Sequence, residues 1–448
     1  MVQRMNNRFA LHSSRVVTLE EVAEKWIVIE GEKILEVLSS PPSCKIISCD
    51  DDVIMAGLVD AHVHINEPGR TEWEGFYTAT QAAVAGGVTT VVDMPLNCDP
   101  VTTTSSNFER KLEALGDQLH VDIGFWGGVV PENQSELSSL VQRGVLGCKA
   151  FTCHSGIDDF PASDKATLRS AMQVLKSMGA PLLVHAELEH PLDLGGGGDP
   201  TTYESYLSSR PASWEVNAIQ MVIDLVRETG CAAHIVHLSA AEALPLIAQA
   251  KDEGLPLTVE TCPHYLCLTS EEIQRGQTQF KCAPPIRNAQ NREALWDGLK
   301  RGIIDCIVSD HSPCTPELKK LEEGHFHDAW GGISSLQLSL PNIWTEAKTR
   351  GISLNKLTYW MSKKPSQIAG LGLYKGEIDA GYDADLVIWR PEGQFTLEPS
   401  ALLFKHKLSP YLGRVLKGQV SHTYLRGQLV YEQGTVYPAQ GRAIFGRN

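Results

Sequence analysis

Two hydrophobic patterns divide the chain. From about Arg8 to Met55, short runs such as Arg15-Val16-Val17-Thr18, Trp26-Ile27-Val28-Ile29-Glu30 and Lys33-Ile34-Leu35-Glu36-Val37 predict strands. Glu30-Gly31-Glu32 has the character of a hairpin turn between the last two. From Gly57 onward, continuous apolar runs alternate with amphipathic segments. Residues 88–94, 120–125, 145–151, 181–185, 233–237, 257–260 and 304–309 predict buried strands, with helices between them, for example over 213–229 and 241–253. Strands buried on both faces and separated by helices imply a parallel sheet covered by helices. After about Tyr374 the pattern returns to β, at 381–389, 419–426 and 429–432.

The polar residues that interrupt this pattern sit where the apolar runs end. The first is Gly57-Leu58-Val59-Asp60-Ala61-His62-Val63-His64, in which two histidines one residue apart share a strand face. Lys149, His185, His237 and Asp310 end later runs in the same way. An open doubly wound sheet feeds a ligand site from a few strand ends at one switch point, whereas a closed (β/α)8 barrel gathers many at its C-terminal rim. Five contributing strand ends favour the barrel. The expected α/β architecture is therefore a (β/α)8 TIM-like barrel over 57–374. A small β domain is expected from both chain ends, 1–56 and 375–448.

Four imidazoles, an amine and a carboxylate make a metal-binding inventory, since histidine nitrogen and carboxylate oxygen are common zinc donors. A lysine closing an apolar strand needs an acidic partner or neutralisation. In this company a second reading of Lys149 gains weight: its neutral amine reacts with carbon dioxide to give a carbamate able to bridge two metals. Such a pair polarises a carbonyl and makes hydroxide available near neutral pH. Asp310 has the position to take the nucleophile's proton and pass it to a leaving nitrogen. The alternative for Asp310 is a helix cap in Ser309-Asp310-His311-Ser312. His234, three residues before His237, is expected to be structural.

Composition narrows the class. With 42% hydrophobic and 21% charged residues the chain is an ordinary soluble globular protein, and no apolar run approaches the roughly 18 residues that span a bilayer. A net charge of −15 argues against nucleic acid or an anionic membrane as the main partner. Eleven cysteines without a regular framework or secretory signal suggest a reducing intracellular compartment. The five-residue spacing of Cys148/Cys153 and Cys262/Cys267 is too wide for the usual structural zinc pair. The cytoplasm is the default location. Arg4, Arg8 and Arg15, with no acid before Val17, leave a mitochondrial transit segment open, and Gly446-Arg447-Asn448 is not the peroxisomal Ser-Lys-Leu signal. The glycine run at 195–198 is a spacer or a lid hinge.

Several motifs go beyond composition. They are Val59-Asp60-Ala61-His62-Val63-His64-Ile65-Asn66-Glu67-Pro68-Gly69-Arg70, Gly86-Gly87-Val88-Thr89-Thr90, His185-Ala186-Glu187, His237-Leu238-Ser239, Glu260-Thr261-Cys262-Pro263-His264-Tyr265 and Gly381-Tyr382-Asp383-Ala384-Asp385-Leu386-Val387. With Lys149 and Asp310, they make nearly the whole chain resemble the cyclic amidases of the amidohydrolase superfamily: dihydroorotases, dihydropyrimidinases or hydantoinases, and allantoinases. The resemblance implies that His62, His64, Lys149 as N6-carboxylysine, His185, His237 and Asp310 hold two zinc ions per subunit, with manganese or cobalt as alternatives. It also implies a homotetramer.

Departures from the pattern separate the branches. Dihydroorotases carry an arginine where this chain has Asn66, and a carboxylate-binding histidine where it has Cys314. Losing two such partners removes charge-assisted hydrogen bonds worth roughly 1.5–3 kcal/mol each, so an acidic ring substrate is disfavoured. Hydantoinases place a tyrosine shortly after the carboxylated lysine, and residues 149–161 contain none. This stretch, with Asn66 to Gly75, Met94-Pro95-Leu96-Asn97 and Ser309 to Cys314, looks like the allantoinases. That branch implies hydrolysis of the hydantoin ring of (S)-allantoin to allantoate in purine breakdown. Asn66, Asn97, Cys282 and Pro284 are the candidate substrate contacts, and His264 a supporting histidine. The alternatives are a hydantoinase of broader specificity and a noncatalytic dihydropyrimidinase-like scaffold.

Overall fold

The computed structural model describes residues 8–190 and 198–446, so Arg4, residues 195–197 of the glycine run and the last two residues lie outside it. Eight parallel strands follow one another around a barrel: Leu58–Val63, Val88–Asp93, Asp122–Phe125 with Gly127–Gly128, Cys148–Phe151, Leu182–His185, Ala233–Ile235, Leu257–Thr261 and Cys306–Ile307. The ring closes between the first and last. The His64 N–H donates to the His311 carbonyl at 2.8 Å, and Asp60 accepts from the Ser309 N–H at 3.0 Å. The run expected over 304–309 has two residues in the ladder, and the closure through Ser309 limits it at its C-terminal end. Val308 N–H still donates to the Thr261 carbonyl at 3.1 Å, and from Ser309 the chain turns to Asp60.

The terminal strands form one sheet. From one edge its order is Thr435–Val436, Gln428–Glu432, Val415–Leu425, Leu386–Thr396, Val53–Ala56, Arg8–Val17, Val22–Glu30 and Lys33–Leu38, with Lys45–Ser48 also paired to Arg8–Val17. The two ends of the chain meet where Val53–Ala56 runs antiparallel to Leu386–Thr396. Val53–Ala56 and the first four residues of Leu386–Thr396 are unbroken apolar runs because each separates two cores. Val53, Met55, Val387 and Trp389 face the barrel side, while Ile54, Ala56, Leu386 and Ile388 pack with Leu11 and Ile27 in a smaller cluster. Alternate residues pointing to opposite faces is the strand period itself. The first strand begins at Arg8, earlier than its pattern suggests, because a bulge between Ser13 and Val16 interrupts the alternation.

Buried charge fastens the barrel to this sheet. Lys375 Nζ donates to Asp122 at 2.6 Å and to Asp385 at 2.6 Å, with Asp383 at 2.9 Å. Asp122 opens a barrel strand, whereas Lys375, Asp383 and Asp385 belong to the C-terminal segment. Among the helices, Ala212–Thr229 matches its pattern and ends at Gly230, whose φ of 66° suits a left-handed cap. The segment expected as one helix over 241–253 is split into a 3-10 turn, Ala241–Ala243, and a helix, Leu244–Asp252. Pro245 has no N–H and is tolerated only near a helix start. No helix among the described residues is long and apolar enough to cross a membrane, and the eleven cysteines are free thiols.

Candidate metal centre and active-site cavity

The strand ends place all six expected ligands on one cavity of about 740 Å³: His62, His64, Lys149, His185, His237 and Asp310. His62 lies in the first barrel strand and His64 just beyond it. Their ring centres are 5.5 Å apart, and both Nε2 atoms approach Asp310 Oδ1, at 3.2 and 3.6 Å. His237 lies 5.3 Å from His62 and 4.5 Å from His185, ring to ring. Lys149 is fully buried in its strand, its Nζ 5.1 Å from the Phe151 ring centre. His237 and Asp310 hold left-handed φ angles of 38° and 45°, a conformation that costs of order 1–3 kcal/mol for such residues and clusters at functional sites.

The hydrogen bonds behind the ligands decide which atoms remain available. His62 Nδ1 meets Glu260 Oε1 at 2.5 Å, and the same carboxylate binds His234 Nε2 at 2.9 Å and the His237 N–H at 3.2 Å. With its proton on Nδ1, the His62 ring points an Nε2 lone pair at Asp310 Oδ1, another acceptor. Burial, only partly offset by Asp310 and Glu260, lowers the His62 pKa, so protonation does not relieve this clash. His185 Nε2 donates to Glu187 at 2.7 Å, leaving Nδ1 as its basic nitrogen, and Arg210 holds Glu187 from the other side. His64 Nδ1 lies 3.3 Å from the Asn97 amide.

These residues fit a metal pair on three counts. His62 Nε2, His237 Nδ1 and Lys149 Nζ are buried with no hydrogen-bond partner. His62, His64 and Asp310 present ligand atoms within 4.8 Å of one another. Burial lowers the Lys149 pKa to about 8, so its amine deprotonates readily and can take up carbon dioxide. Orphaned buried donors and acceptors are costly unless something binds them.

The candidate substrate contacts separate. Asn97 lines the cavity, while Asn66 donates to the Asn97 carbonyl at 3.1 Å and supports it from behind. The Cys282 and Pro284 carbonyls accept from the Tyr206 and Tyr265 hydroxyls, each at 2.7 Å, and the intervening Ala283 reaches the cavity with Lys281. His264 is fully buried, with neither ring nitrogen hydrogen-bonded.

His234 packs behind the cavity and shares Glu260 with His62. The sequence reading did not assign positioning roles to Glu260, Glu187 and Arg210, nor single out Lys281 and Trp330 on the cavity wall. A carboxylate inside the apolar strand Leu257–Thr261 was the available signal for Glu260, because it must be paired to be buried.

A barrel that carries histidines, a buried lysine and an aspartate at five of its strand ends belongs to a recognised class. The amidohydrolase family model matches residues 53–430, and the chain belongs to this family. Among similar proteins, the allantoinase of Arabidopsis thaliana is 46% identical over 96% of this chain and 89% of its own length. That of Streptomyces avermitilis is 45% identical over 97% and 98%. The solved L-hydantoinase (dihydropyrimidinase) of Arthrobacter aurescens superimposes with a TM-score of 0.92 at 30% identity, covering 98% of this chain and all of that one.

Proposed function

We propose that this chain is an allantoinase, a hydrolase that opens the hydantoin ring of allantoin at a cyclic C–N amide bond to give allantoate. The observation that carries the reading is the set of unpartnered buried atoms on His62, His237 and Lys149 at the base of one cavity. The 45–46% identity to curated allantoinases supports the substrate. His62, His64 and Asp310 would hold one zinc ion, His185 and His237 a second, and Lys149, carboxylated by carbon dioxide, would join them; manganese or cobalt suits the same donors. When bound, such a pair supplies Lewis-acid polarisation of the ring carbonyl and hydroxide near neutral pH.

The chain's own groups do the rest. Asp310 Oδ1 faces the two imidazoles, leaving Oδ2 to accept the nucleophile's proton and deliver it to the departing ring nitrogen. Burial alone would raise the Asp310 carboxyl, but the His64 imidazole beside it holds it low, so it is ionised and ready to accept. Glu260 orients His62, and Glu187 with Arg210 orients His185. Tyr206 lines the cavity, yet its hydroxyl is committed to the Cys282 carbonyl and does not serve as an oxyanion donor.

The cavity's cations favour a neutral ring. Arg210 is spent on Glu187, and Lys281 on the His327 and Ala329 carbonyls at 3.0 and 2.6 Å. An anionic dihydroorotate would find neither free. The family resemblance further supports a homotetramer, which sedimentation velocity reads directly. The deciding assay follows allantoate formation from each allantoin enantiomer, with metal content measured on the same sample. Dihydrouracil and dihydroorotate serve as competing substrates. Faster turnover of either competitor, or a metal-free protein with full activity, overturns the proposal.

A further inference from the structure

One wall of the cavity is built on two buried lysines that lack an acid. Lys281 and Lys319 are 8% and 5% exposed, and neither has a carboxylate within ion-pair distance among the described residues. Lys281 Nζ donates to the carbonyls of His327, at 3.0 Å, and Ala329, at 2.6 Å. Lys319 Nζ donates to those of Trp330, at 2.9 Å, and Gly332, and also to the Lys281 carbonyl at 3.2 Å. Four carbonyls within residues 327–332 therefore end on two ammonium groups.

That segment has no regular secondary structure, yet all six of its residues line the cavity. Backbone bonds add a frame: Ala329 N–H to His325 at 3.1 Å, Trp330 N–H to Leu318 at 2.8 Å and Gly332 N–H to Lys281 at 2.9 Å. The Trp330 ring packs edge-on against Trp73 at 4.7 Å, so the position of the wall fixes an aromatic surface over the site. Burying two lysine amines without counter-charge is costly: burial pulls both below the ordinary lysine range, Lys281 to about 7, and the carbonyl dipoles they collect are what favours the ammonium forms. A helix or strand would have satisfied those carbonyls without any lysine. The arrangement instead draws the carbonyl oxygens toward the ammoniums and holds an irregular wall in a single conformation.

We infer that Lys281 and Lys319 are positioning residues for substrate binding, a two-ammonium clamp that sets the 327–332 wall and through it the fit of the ring substituent. This rests on the allantoinase reading for its substrate, but not for the clamp. Two measurements test it on the metal-loaded protein. The first is amide hydrogen exchange in the unaltered chain. Residues 327–332 are expected to exchange at least about tenfold more slowly than the cavity loop 154–158, whose carbonyls receive no ammonium.

The second compares Lys319→Met and Lys281→Met. Each is expected to raise exchange over 327–332 and to raise KM for allantoin about tenfold. Metal content should stay at the wild-type level, and kcat should change by less than about threefold. Exchange over 327–332 as fast as over 154–158 in the wild type overturns the clamp, and so does a folded Lys319→Met protein with wild-type KM. A variant that does not fold leaves the wild-type exchange comparison to decide. Should the wild-type protein not hydrolyse allantoin, the functional reading falls, while the exchange measurement still judges the clamp.

Discussion

Glu260→Gln tests whether the metal centre depends on the carboxylate behind it. Glu260 is 1% exposed and accepts from His62 Nδ1, His234 Nε2 and the His237 N–H. Glutamine keeps the volume but offers only one oxygen. That oxygen can stay on His62 if the new amide group turns to His234, whose Nδ1 then donates to Thr258 Oγ1, 2.8 Å away. The fold therefore survives, whereas Glu260→Ala would strand several buried polar groups at about 1–3 kcal/mol each. What is lost is the negative charge that makes His62 Nε2 a strong donor. Partners of this kind are worth about 10–100-fold in metal affinity, or about 1.4–2.7 kcal/mol.

Metal affinity is read by competition with a chromogenic chelator, alongside thermal unfolding to confirm the fold. Adding Thr258→Val removes the acceptor that the turned His234 needs. The double variant should then lose more than the sum of its parts, because the two sites share one hydrogen-bond chain. A folded Glu260→Gln protein that binds metal within about twofold of the wild type refutes the reasoning.

Other perturbations act on single features. Lys149→Ala should abolish bound metal and activity, with partial rescue by short carboxylic acids; unchanged activity contradicts the carbamate. Burial would raise the Glu187 carboxyl, but Arg210 and His185 outweigh it and hold the pKa at about 2 against an ordinary 4.5. The stability this contributes is fully present above about pH 4.5 and is lost as the pH falls toward 2. Glu187→Gln should therefore flatten stability against pH in that window, measured on metal-free protein of both forms; parallel curves refute it. Lys111 and Asp93 form a buried pair, and Asp93 also accepts from the Ile65 N–H at 2.9 Å. Lys111→Met should cost about 3–5 kcal/mol in denaturant unfolding by leaving a buried carboxylate unpaired, and adding Asp93→Asn should recover much of it.

The chain's own order of residues determined a good deal. Apolar runs spaced by amphipathic segments specify the repeated strand–helix unit, because strand and helix periods are local properties. Polar residues ending those runs are legible too, since His62, His64, Lys149, His185, His237 and Asp310 break an apolar pattern that has no local use for them. Where local signals conflict with distant partners, the reading stops short. The last barrel strand, Cys306–Ile307, leaves its neighbour after Val308, where Asp60 captures Ser309 from across the closure. The helix expected over 241–253 divides at Pro245, a local cue that the broad period obscures.

Only the tertiary structure decided how these side chains are held. Glu260 joins His62 to His234 across three strands, Arg210 reaches Glu187 from the turn between the helices Tyr203–Ser208 and Ala212–Thr229, and Lys281 meets Lys319 behind an irregular wall. None of these pairs is close in the chain, and no periodicity announces them. They follow from long-range closure, which places a buried charge beside whichever group can satisfy it. Sequence pattern thus set which atoms reach the barrel rim, and packing set which of their lone pairs remained free to bind.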